Sequence, residues 1–339
     1  MSNAPKTKVL VVDPGTGWVK AGFPDDRGPS AVVRYGTNKP LKGQEGSVVV
    51  DWAALEQALA RTFRDELRVK PSEHAVLLAH APDAPRAERE KLLGVLFDRF
   101  EVPQAALMPT SVLALHATGR TTGVVVDIGD ALTSVAAVHE GKAMDRPVRR
   151  SVVAGRTVTA VMGKRLADEG IDLSAAKEIV RDVVEKFGYV AGDYEKEKAR
   201  SAMEVLKIYE LPGGEVIEVV QARFEAPEAL FEPDRFGLKA KGMQELLLAV
   251  VEGSNADIRA ELYANVFLAG GGSLIAGLAE RLSTEIGRGA PRAQAHVYAR
   301  PGRKHMAWQG GSSLATAGIT TWITRSAYND KGTAVLDRP

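Results

Sequence analysis

Cysteine is absent from the 339-residue sequence, and so is any marked excess of charge of one sign. Without cysteine the chain cannot form disulfide bonds, thiolate zinc sites or cysteine nucleophiles. The 44 Lys and Arg residues nearly balance the 43 Asp and Glu residues, which leaves a formal net charge of +1. Because proteins that bind a nucleic-acid backbone normally carry a basic excess or a concentrated basic stripe, we expect no nucleic-acid partner.

Long hydrophobic runs are also missing. The apolar run at residues 9–12 is shorter than the hydrophobic stretch of a signal peptide. No run approaches the roughly 20 consecutive apolar residues that a membrane-spanning helix needs. We therefore expect a cytoplasmic protein with no transmembrane segment.

The residues that are present alternate between short β-branched runs and longer amphipathic runs, a pattern typical of an α/β fold with covered sheets. At about 150 residues per domain, the length predicts two domains. Strands are predicted over residues 9–12, 75–79, 123–127, 134–139 and 266–269. Helices are predicted over 52–67, with Asp51 as its cap, and over 85–100, 111–118, 157–169, 174–187, 237–251, 274–286 and 311–324. Residues 25–46 are predicted to form a surface loop or a reduced hairpin.

Two stretches of the chain, Val9–Phe23 and Val124–Val138, resemble each other. Each reads as a buried strand, an Asp at its end, a turn that contains glycine, and a second strand. The two aspartates, Asp13 and Asp127, are 114 residues apart. This spacing predicts a duplicated domain, with two similar halves that face each other across a cleft.

The first of these turns has the residues of a phosphate site. A strand that turns tightly on Gly15 and Gly17 exposes successive backbone N–H groups, which can cradle phosphate oxygens. Lys20 could add a positive charge to the same phosphates, and Asp13 could hold waters of a hydrated Mg²⁺. The alternative is a plain hairpin whose Asp and Gly only satisfy the turn.

The second turn and a later glycine cluster complete the pattern. The second turn offers Asp127, Gly129 and Asp130, so that two facing turns could clamp one polyphosphate. Farther on, a strand leads into Gly270, Gly271 and Gly272, and Ser273 is predicted to cap the helix that follows. Adjacent glycines would let the backbone approach a flat ligand such as adenine. The alternative for this cluster is a strand-to-helix turn that requires tight packing.

The order of these elements resembles the actin family, within the superfamily of actins, heat-shock chaperones and sugar kinases. DPGTGWVKAGF and SVLALHATGRTTGVVVDIGD are similar to the two phosphate loops of actin. KEIVRDVVEKFGYVAGDYEKE, YELPGGEVIEV, RFEAPEALFEP, ELYANVFLAGGGSLIAGLAERL and RKHMAWQGGSSLATAGITTWITRSAYNDKG follow in the same order as in actin. The resemblance implies an actin-like ATPase fold, in which duplicated ribonuclease H-like domains form two lobes around a nucleotide cleft.

The resemblance also implies a division of the chain. The first lobe would comprise residues 1–117 and 306–339, with a reduced subdomain 2 at about 34–46. The second lobe would comprise residues 118–305. Within it, subdomain 3 would take 118–154 and 239–305, and subdomain 4 would take 155–238.

Site roles follow from the resemblance, position by position. Asp13 and Asp127 would hold the water shell of Mg²⁺ that accompanies ATP or ADP. The phosphates would be contacted by residues of the two turns: Gly15, Thr16, Gly17, Trp18 and Lys20 from one lobe, and Gly129, Asp130, Ala131 and Leu132 from the other. The ribose and adenine would be lined by Gly155, Glu185, Gly270, Gly271, Gly272, Ile275 and Lys304.

Several positions depart from the family. Thr110 replaces a Gln that helps to order the attacking water, and we expect this Thr to cap its helix instead. Ser134 replaces a nearby His, so two water-ordering groups are missing and hydrolysis is expected to be slow. Ala131 replaces a Gly in the second turn, and Ile275 replaces a Tyr that stacks near adenine.

The functional expectation is an actin-like cytoskeletal protein that binds ATP and Mg²⁺, assembles into filaments of its own copies and meets regulatory partners of the actin-binding type. The segment after Phe23 is much shorter than in the family, and FGLKAKG at 236–242 is less apolar than the family's plug. Filament contacts are therefore expected to differ. Two alternatives remain: a non-polymerising actin-related adaptor, and a sugar or metabolite kinase with Asp130 as general base.

Overall fold

The computed structural model describes residues 7–35, 51–318 and 321–337. The described residues form two compact units. Unit 1 takes those within Met1–Val125, Ala136–Val148 and His305–Pro339, and unit 2 takes those within Val126–Val135 and Arg149–Lys304. In the described part of the chain, no helix is both long and apolar enough to cross a membrane.

The strands of the described residues are β1 (Val9–Pro14), β2 (Trp18–Gly22), β3 (Ala31–Arg34), β4 (Ala75–His80), β5 (Gln104–Pro109), β6 (Gly123–Ile128), β7 (Thr133–His139), β8 (Lys142–Ser151), β9 (Lys207–Glu210), β10 (Val216–Val219), β11 (Val266–Ala269), β12 (Val297–Tyr298) and β13 (Ile323–Thr324). They form a six-stranded sheet in the order β13-β5-β4-β1-β2-β3, a five-stranded sheet in the order β12-β11-β6-β7-β8, and the hairpin β9-β10. The predicted α/β class is confirmed.

The helices are α1 (Trp52–Arg61), α2 (Arg86–Gly94), α3 (Thr110–His116), α4 (Gly155–Asp168), α5 (Lys177–Phe187), α6 (Tyr194–Lys198), α7 (Ala202–Val205), α8 (Ala222–Glu228), α9 (Met243–Glu252), α10 (Arg259–Ala264), α11 (Leu278–Gly289), α12 (Met306–Ala317) and α13 (Arg325–Lys331). π-helical turns extend α1 and α2, at Thr62–Glu66 and Val95–Arg99. All eight predicted helices are found, although three of them begin elsewhere.

Glycine conformation explains the displaced helices. The predicted helix 237–251 starts only at Met243, with Gly242 in the cap position, and the left-handed Gly237 (φ +71°) ends the preceding 3₁₀ turn instead. The predicted helix 274–286 starts at Leu278, since Gly277 has φ +76°. The predicted helix 311–324 runs instead over Met306–Ala317 and ends at Gly318, which has φ +66°. Glycine adopts this conformation without the steric penalty that other residues meet, so it ends or separates helices.

The sheet of unit 1 has an apolar core on each face. β1, β4 and β5 are parallel neighbours, while β2 and β3 continue antiparallel from β1. Alternate residues point to opposite faces. Leu10 and Val12 pack with α1 and α2 on one face, and Val11 packs with Trp308 on the other. Every residue of β4 is buried, as expected of a central parallel strand that is covered on both faces.

The segment 25–46 is described only in part. Its residues 31–34 form β3, which pairs antiparallel with β2, so a strand replaces the predicted loop at those residues and pairs with a strand that precedes the segment. The predicted reduced subdomain 2 at about 34–46 lies, beyond Tyr35, outside the described residues.

Candidate functional site

The first candidate turn, in unit 1, joins β1 to β2. The Gly15 amide donates to the Trp18 carbonyl oxygen at 2.9 Å and closes the turn. The antiparallel register sets Asp13 directly opposite Lys20, and Nζ of Lys20 lies 3.1 Å from Oδ2 of Asp13. Asp13 is only 5% exposed. A carboxylate that is this deeply buried needs such a partner, so the hairpin itself brings the two predicted site charges together.

The remaining residues of the first turn lie close to this pair. Thr16 and Trp18 are half-buried and Gly17 is buried. The carbonyl oxygen of Gly17 accepts a hydrogen bond of 3.2 Å from the Tyr35 amide. The guanidinium of Arg34 lies 5.8 Å from the centre of the Trp18 ring. β3 therefore supports the turn from the side.

Thr110 lies at the same edge of the same sheet. The register aligns Val11, Leu77 and Ala106 in one row on the Trp308 face. Because side chains alternate along a strand, Asp13 follows Val11 on this face of β1. Thr110 comes directly after the last residue of β5, where α3 begins. The carboxyl ends of parallel strands are the usual edge for ligands in α/β sheets.

The predicted capping role of Thr110 is wrong. The residue stands inside the first turn of α3, and Pro109 occupies the cap position with extended backbone angles and no side-chain capping bond. A proline in that position supplies no side-chain acceptor, so the helix begins without a cap of this kind. The half-buried Thr110 side chain is left for another role.

The second candidate turn, in unit 2, repeats the geometry of the first. The Gly129 amide donates to the Leu132 carbonyl oxygen at 2.9 Å, as Gly15 does to Trp18. Asp127, Gly129 and Leu132 each follow their counterpart in the first turn by 114 residues. The counterparts are Asp13, Gly15 and Trp18. Ala131, Leu132 and Ser134 are half-buried at and just after this turn. The repeated strand, turn and strand predicted from the sequence are confirmed.

The three glycines after β11 pack against the second turn. A Cβ on Gly270 would lie 2.3 Å from Oδ1 of Asp127 and 2.4 Å from the Ile128 carbonyl oxygen. A Cβ on Gly272 would lie 2.5 Å from Cγ2 of Ile128. Both distances are far below a van der Waals contact, so these positions bring two backbone segments together as the tight-packing interpretation requires. Gly271 differs, because a Cβ there would meet nothing within 4 Å.

Ser273 does not cap the helix that follows, contrary to the prediction. It lies in the 3₁₀ turn Gly271–Leu274, and its hydroxyl donates to the Gly270 carbonyl oxygen at 2.7 Å. The long helix α11 begins later, after the left-handed Gly277. The serine therefore closes the glycine turn itself.

The N-terminus of α4 is joined to the second turn by backbone and side-chain bonds. The amide of Gly155 donates to the Gly129 carbonyl oxygen at 3.0 Å, and the amide of Arg156 donates to the Asp130 carbonyl oxygen at 2.6 Å. The Arg156 guanidinium also holds the Asp130 carboxylate, with Nη2 2.6 Å and Nε 3.1 Å from Oδ2. This ion pair occupies the carboxylate that the kinase alternative requires as a general base.

The candidate ribose and adenine residues lie on elements that are connected in unit 2. The Gly270 amide donates a hydrogen bond of 3.2 Å to the Arg303 carbonyl oxygen, which sets Lys304 beside the glycines. Tyr189, just after α5, forms a β-bridge with Ala276, which ties the helix of Glu185 to the segment of Ile275. Side chains at the edge of this group are accessible: Glu185, Gly271 and Lys304 are exposed, and Ile275 is half-buried.

Sequence reasoning missed Arg156 and Tyr35. Nothing in the sequence pairs Arg156 with Asp130, because the two are 26 residues apart. The hydroxyl of Tyr35 is buried without a hydrogen-bond partner among the residues that the structure describes. Burial raises the pKa of this hydroxyl, and the Asp13 carboxylate raises it further, so it stays protonated.

The donor chemistry of each turn, taken by itself, fits Mg²⁺ that is bound together with a phosphate ligand. No group of three or more His, Asp or Glu residues that could hold a metal directly occurs within the described ranges. Mg²⁺ is commonly held by one or two carboxylates, with waters and substrate phosphates as the other ligands. Asp13 in the first turn and Asp127 in the second would each offer one such carboxylate, and the close approach of Gly270 holds the Asp127 carboxylate in its place.

Comparison with protein families gives one match of wide extent. The family model described as Actin matches residues 38–339. The match covers the second turn, the N-terminus of α4 and the three glycines. The first turn lies before its start.

Proposed function

The chain belongs to the actin family, and from this premise we propose that it binds ATP with Mg²⁺, hydrolyses it slowly and assembles into filaments of its own copies. The fold is the actin-like ATPase fold. A cytoplasmic location and regulatory partners of the actin-binding type belong to the same proposal.

The observation that carries the nucleotide proposal is the repeated turn. The Gly15 and Gly129 amides close their turns with hydrogen bonds of equal length, 2.9 Å, and each turn follows a strand whose last residue but one is an aspartate. A glycine turn after a strand can present backbone N–H groups to phosphate oxygens, and the chain carries this turn twice. A pair of unrelated structural hairpins would have no reason to share residue types and spacing.

Each residue then has a definite part. Asp13 and Asp127 would bind the water shell of Mg²⁺, and Lys20 would contact the phosphates while it balances Asp13. Gly15, Thr16, Gly17 and Trp18 would contact phosphates from the first turn, and Gly129, Asp130, Ala131 and Leu132 from the second. Gly155, Glu185, Gly270, Gly271, Gly272, Ile275 and Lys304 would line the nucleoside. Mg²⁺, when bound, would offset the negative charge of the phosphates.

Slow hydrolysis follows from the residues available to orient water. A side chain that holds the attacking water in line contributes strongly to phosphoryl transfer. Thr110 offers only a short hydroxyl at the edge of the sheet, and Ser134 another. We therefore expect the protein to bind ATP but to hydrolyse it at a low rate.

Filament assembly is supported by an exposed apolar group in unit 2. Met203, Ile208 and Val216 are 83%, 60% and 60% exposed, on α7, β9 and β10. Exposed apolar residues gathered on neighbouring elements are typical of interaction surfaces. A formal net charge of +1 also leaves little repulsion between copies.

The test of the nucleotide site is calorimetric titration with ATP, in Mg²⁺ and in a chelator. We expect Mg²⁺ to strengthen ATP binding. In Asp127→Asn the increase in ATP affinity on addition of Mg²⁺ should be about tenfold smaller, because one carboxylate charge near the cation is lost. Asp257→Asn, the same change at an exposed position, is the control. Absence of ATP binding by the wild type would refute the proposal. Equal Mg²⁺ dependence in Asp127→Asn would refute the metal role.

A further inference from the structure

The two turns are alike in backbone geometry but not in charge. By the offset of 114 residues, Thr16 in the first turn corresponds to Asp130 in the second. A neutral hydroxyl in one half is thus matched by a carboxylate in the other. If both turns face phosphates, that carboxylate would repel the ligand and weaken binding.

The structure contains a group that offsets this charge. Nη2 and Nε of Arg156 lie 2.6 and 3.1 Å from one oxygen of Asp130, and the Arg156 amide donates to the Asp130 carbonyl oxygen at 2.6 Å. The Asp130 side chain is only 14% exposed and that of Arg156 is 35% exposed. A charge-assisted pair in such a partly buried place is stronger and better defined than an exposed pair.

Local backbone packing brings the arginine to this place. Arg156 stands in the first turn of the 14-residue helix α4, directly after Gly155. A Cβ on Gly155 would lie 3.2 Å from the Gly129 carbonyl oxygen, so the glycine allows α4 to start very close to the turn. The next residue is then within reach of both the backbone and the carboxylate of Asp130.

We propose that Arg156 is a positioning residue which neutralises Asp130 and restrains its turn, so that the second turn accepts a polyphosphate despite its carboxylate. The proposal rests on the proposed function. If this is correct, loss of Arg156 weakens the affinity for a ligand more when the ligand carries more phosphate charge. The loss of affinity also depends on the presence of Asp130.

The experiment is a double-mutant cycle on ligand affinity. Wild type, Arg156→Met, Asp130→Thr and the double variant are titrated with ATP, ADP and adenosine at one salt concentration. Asp130→Thr installs the residue of the first turn. We expect Arg156→Met to weaken ATP about tenfold, ADP less, and adenosine by no more than about twofold. In the Asp130→Thr background, the loss of ATP affinity should be at most about threefold.

Two further variants serve as controls for the role of Arg156. Arg64→Met removes an arginine–carboxylate pair from the π-helical turn Thr62–Glu66, which carries no candidate site residue, and should leave ATP affinity unchanged. Arg156→Lys keeps the positive charge but not the two-nitrogen contact, so it should weaken ATP binding less than Arg156→Met does. If Arg156→Met unfolds, a loss of ATP affinity in Arg156→Lys no larger than its loss of adenosine affinity overturns the proposal. Melting temperatures without ligand report whether each variant is folded.

The outcomes separate the two proposals. If the wild type binds no ATP, the proposed function fails and this inference with it. If the wild type binds ATP but Arg156→Met is harmless, or weakens ATP equally in both backgrounds, only the inference is overturned. Equal losses for ATP and adenosine would overturn it too, because they would mean a general structural role.

Discussion

A methyl group is enough to disturb the candidate site at Gly270. The residue has φ +81° and ψ 160°, a backbone region that is essentially restricted to glycine. Its α-carbon also faces Asp127 and the carbonyl oxygen of Ile128 at distances that admit no side chain. Conformation and packing therefore both require glycine at this position, and Asp127 depends on it for its own place.

Gly270→Ala should lower the free energy of unfolding by about 2–4 kcal/mol, because it combines backbone strain with a clash. The measurement is urea unfolding of the ATP-free protein. Gly271→Ala is the matched control, since a Cβ there meets nothing within 4 Å, and we expect it to change the free energy by less than about 0.5 kcal/mol. Similar losses in both variants would contradict this account of Gly270.

At the scale of a single element, the helix starts show how local signals succeed and fail. Asp51 was predicted as a cap and is one: its Oδ1 accepts the Ala54 amide at 2.9 Å. Thr110 carries a similar signal, yet the preceding Pro109 takes the cap position. The residue type was suitable in both cases. Only the backbone angles at the helix start determined which side chain reaches an open amide.

Removal of each side chain separates the two cases. Asp51→Ala should cost about 1 kcal/mol in the free energy of unfolding, because an amide at the start of α1 loses its acceptor. Thr110→Ala should cost less than about 0.5 kcal/mol. Chemical denaturation of both variants, monitored by far-ultraviolet circular dichroism, is the measurement. A cost of 1 kcal/mol or more at Thr110 would restore the capping role.

Boundaries of α9, α11 and α12 follow the same logic. Apolar periodicity indicated that these helices exist, but it continued across Gly237, Gly277 and Gly318. Each of these glycines has a positive φ in the folded chain. Gly277 stands directly before α11, Gly318 ends α12, and Gly237 ends a 3₁₀ turn that precedes α9. Glycine permits that conformation and does not impose it, so the pattern could not place the ends.

At the scale of the whole molecule, low net charge and exposed apolar residues favour assembly of copies. Electrostatic repulsion between molecules is small when the formal net charge is +1. Ile208 and Val216 lie on the paired strands β9 and β10. The cross-strand partner of Ile208 is Glu218, and that of Val216 is Glu210. Burial of such a surface against another molecule removes apolar area from water and favours association.

Assembly with ATP and Mg²⁺ should begin above a threshold concentration of protein. Light scattering measures the threshold, and negative-stain electron microscopy shows the polymer. Replacement of Ile208 and Val216 by Lys should raise the threshold concentration, because formation of the contact would then bury two charged side chains. Protein kept in a chelator is the control. A monomer at every concentration tested would favour the adaptor alternative.

Composition, strand and turn chemistry and the repeat at 114 residues were determined by the sequence alone, as was the family. These features are local or periodic, so they can be recognised without a fold. Asp13 and Lys20 were predicted as two site residues of one turn, and their direct ion pair was found only in the structure. Tertiary structure alone decided that Gly270 packs on Asp127 and that Arg156 neutralises Asp130. Contacts of this kind join distant parts of the chain, and they exist only once packing brings those parts together.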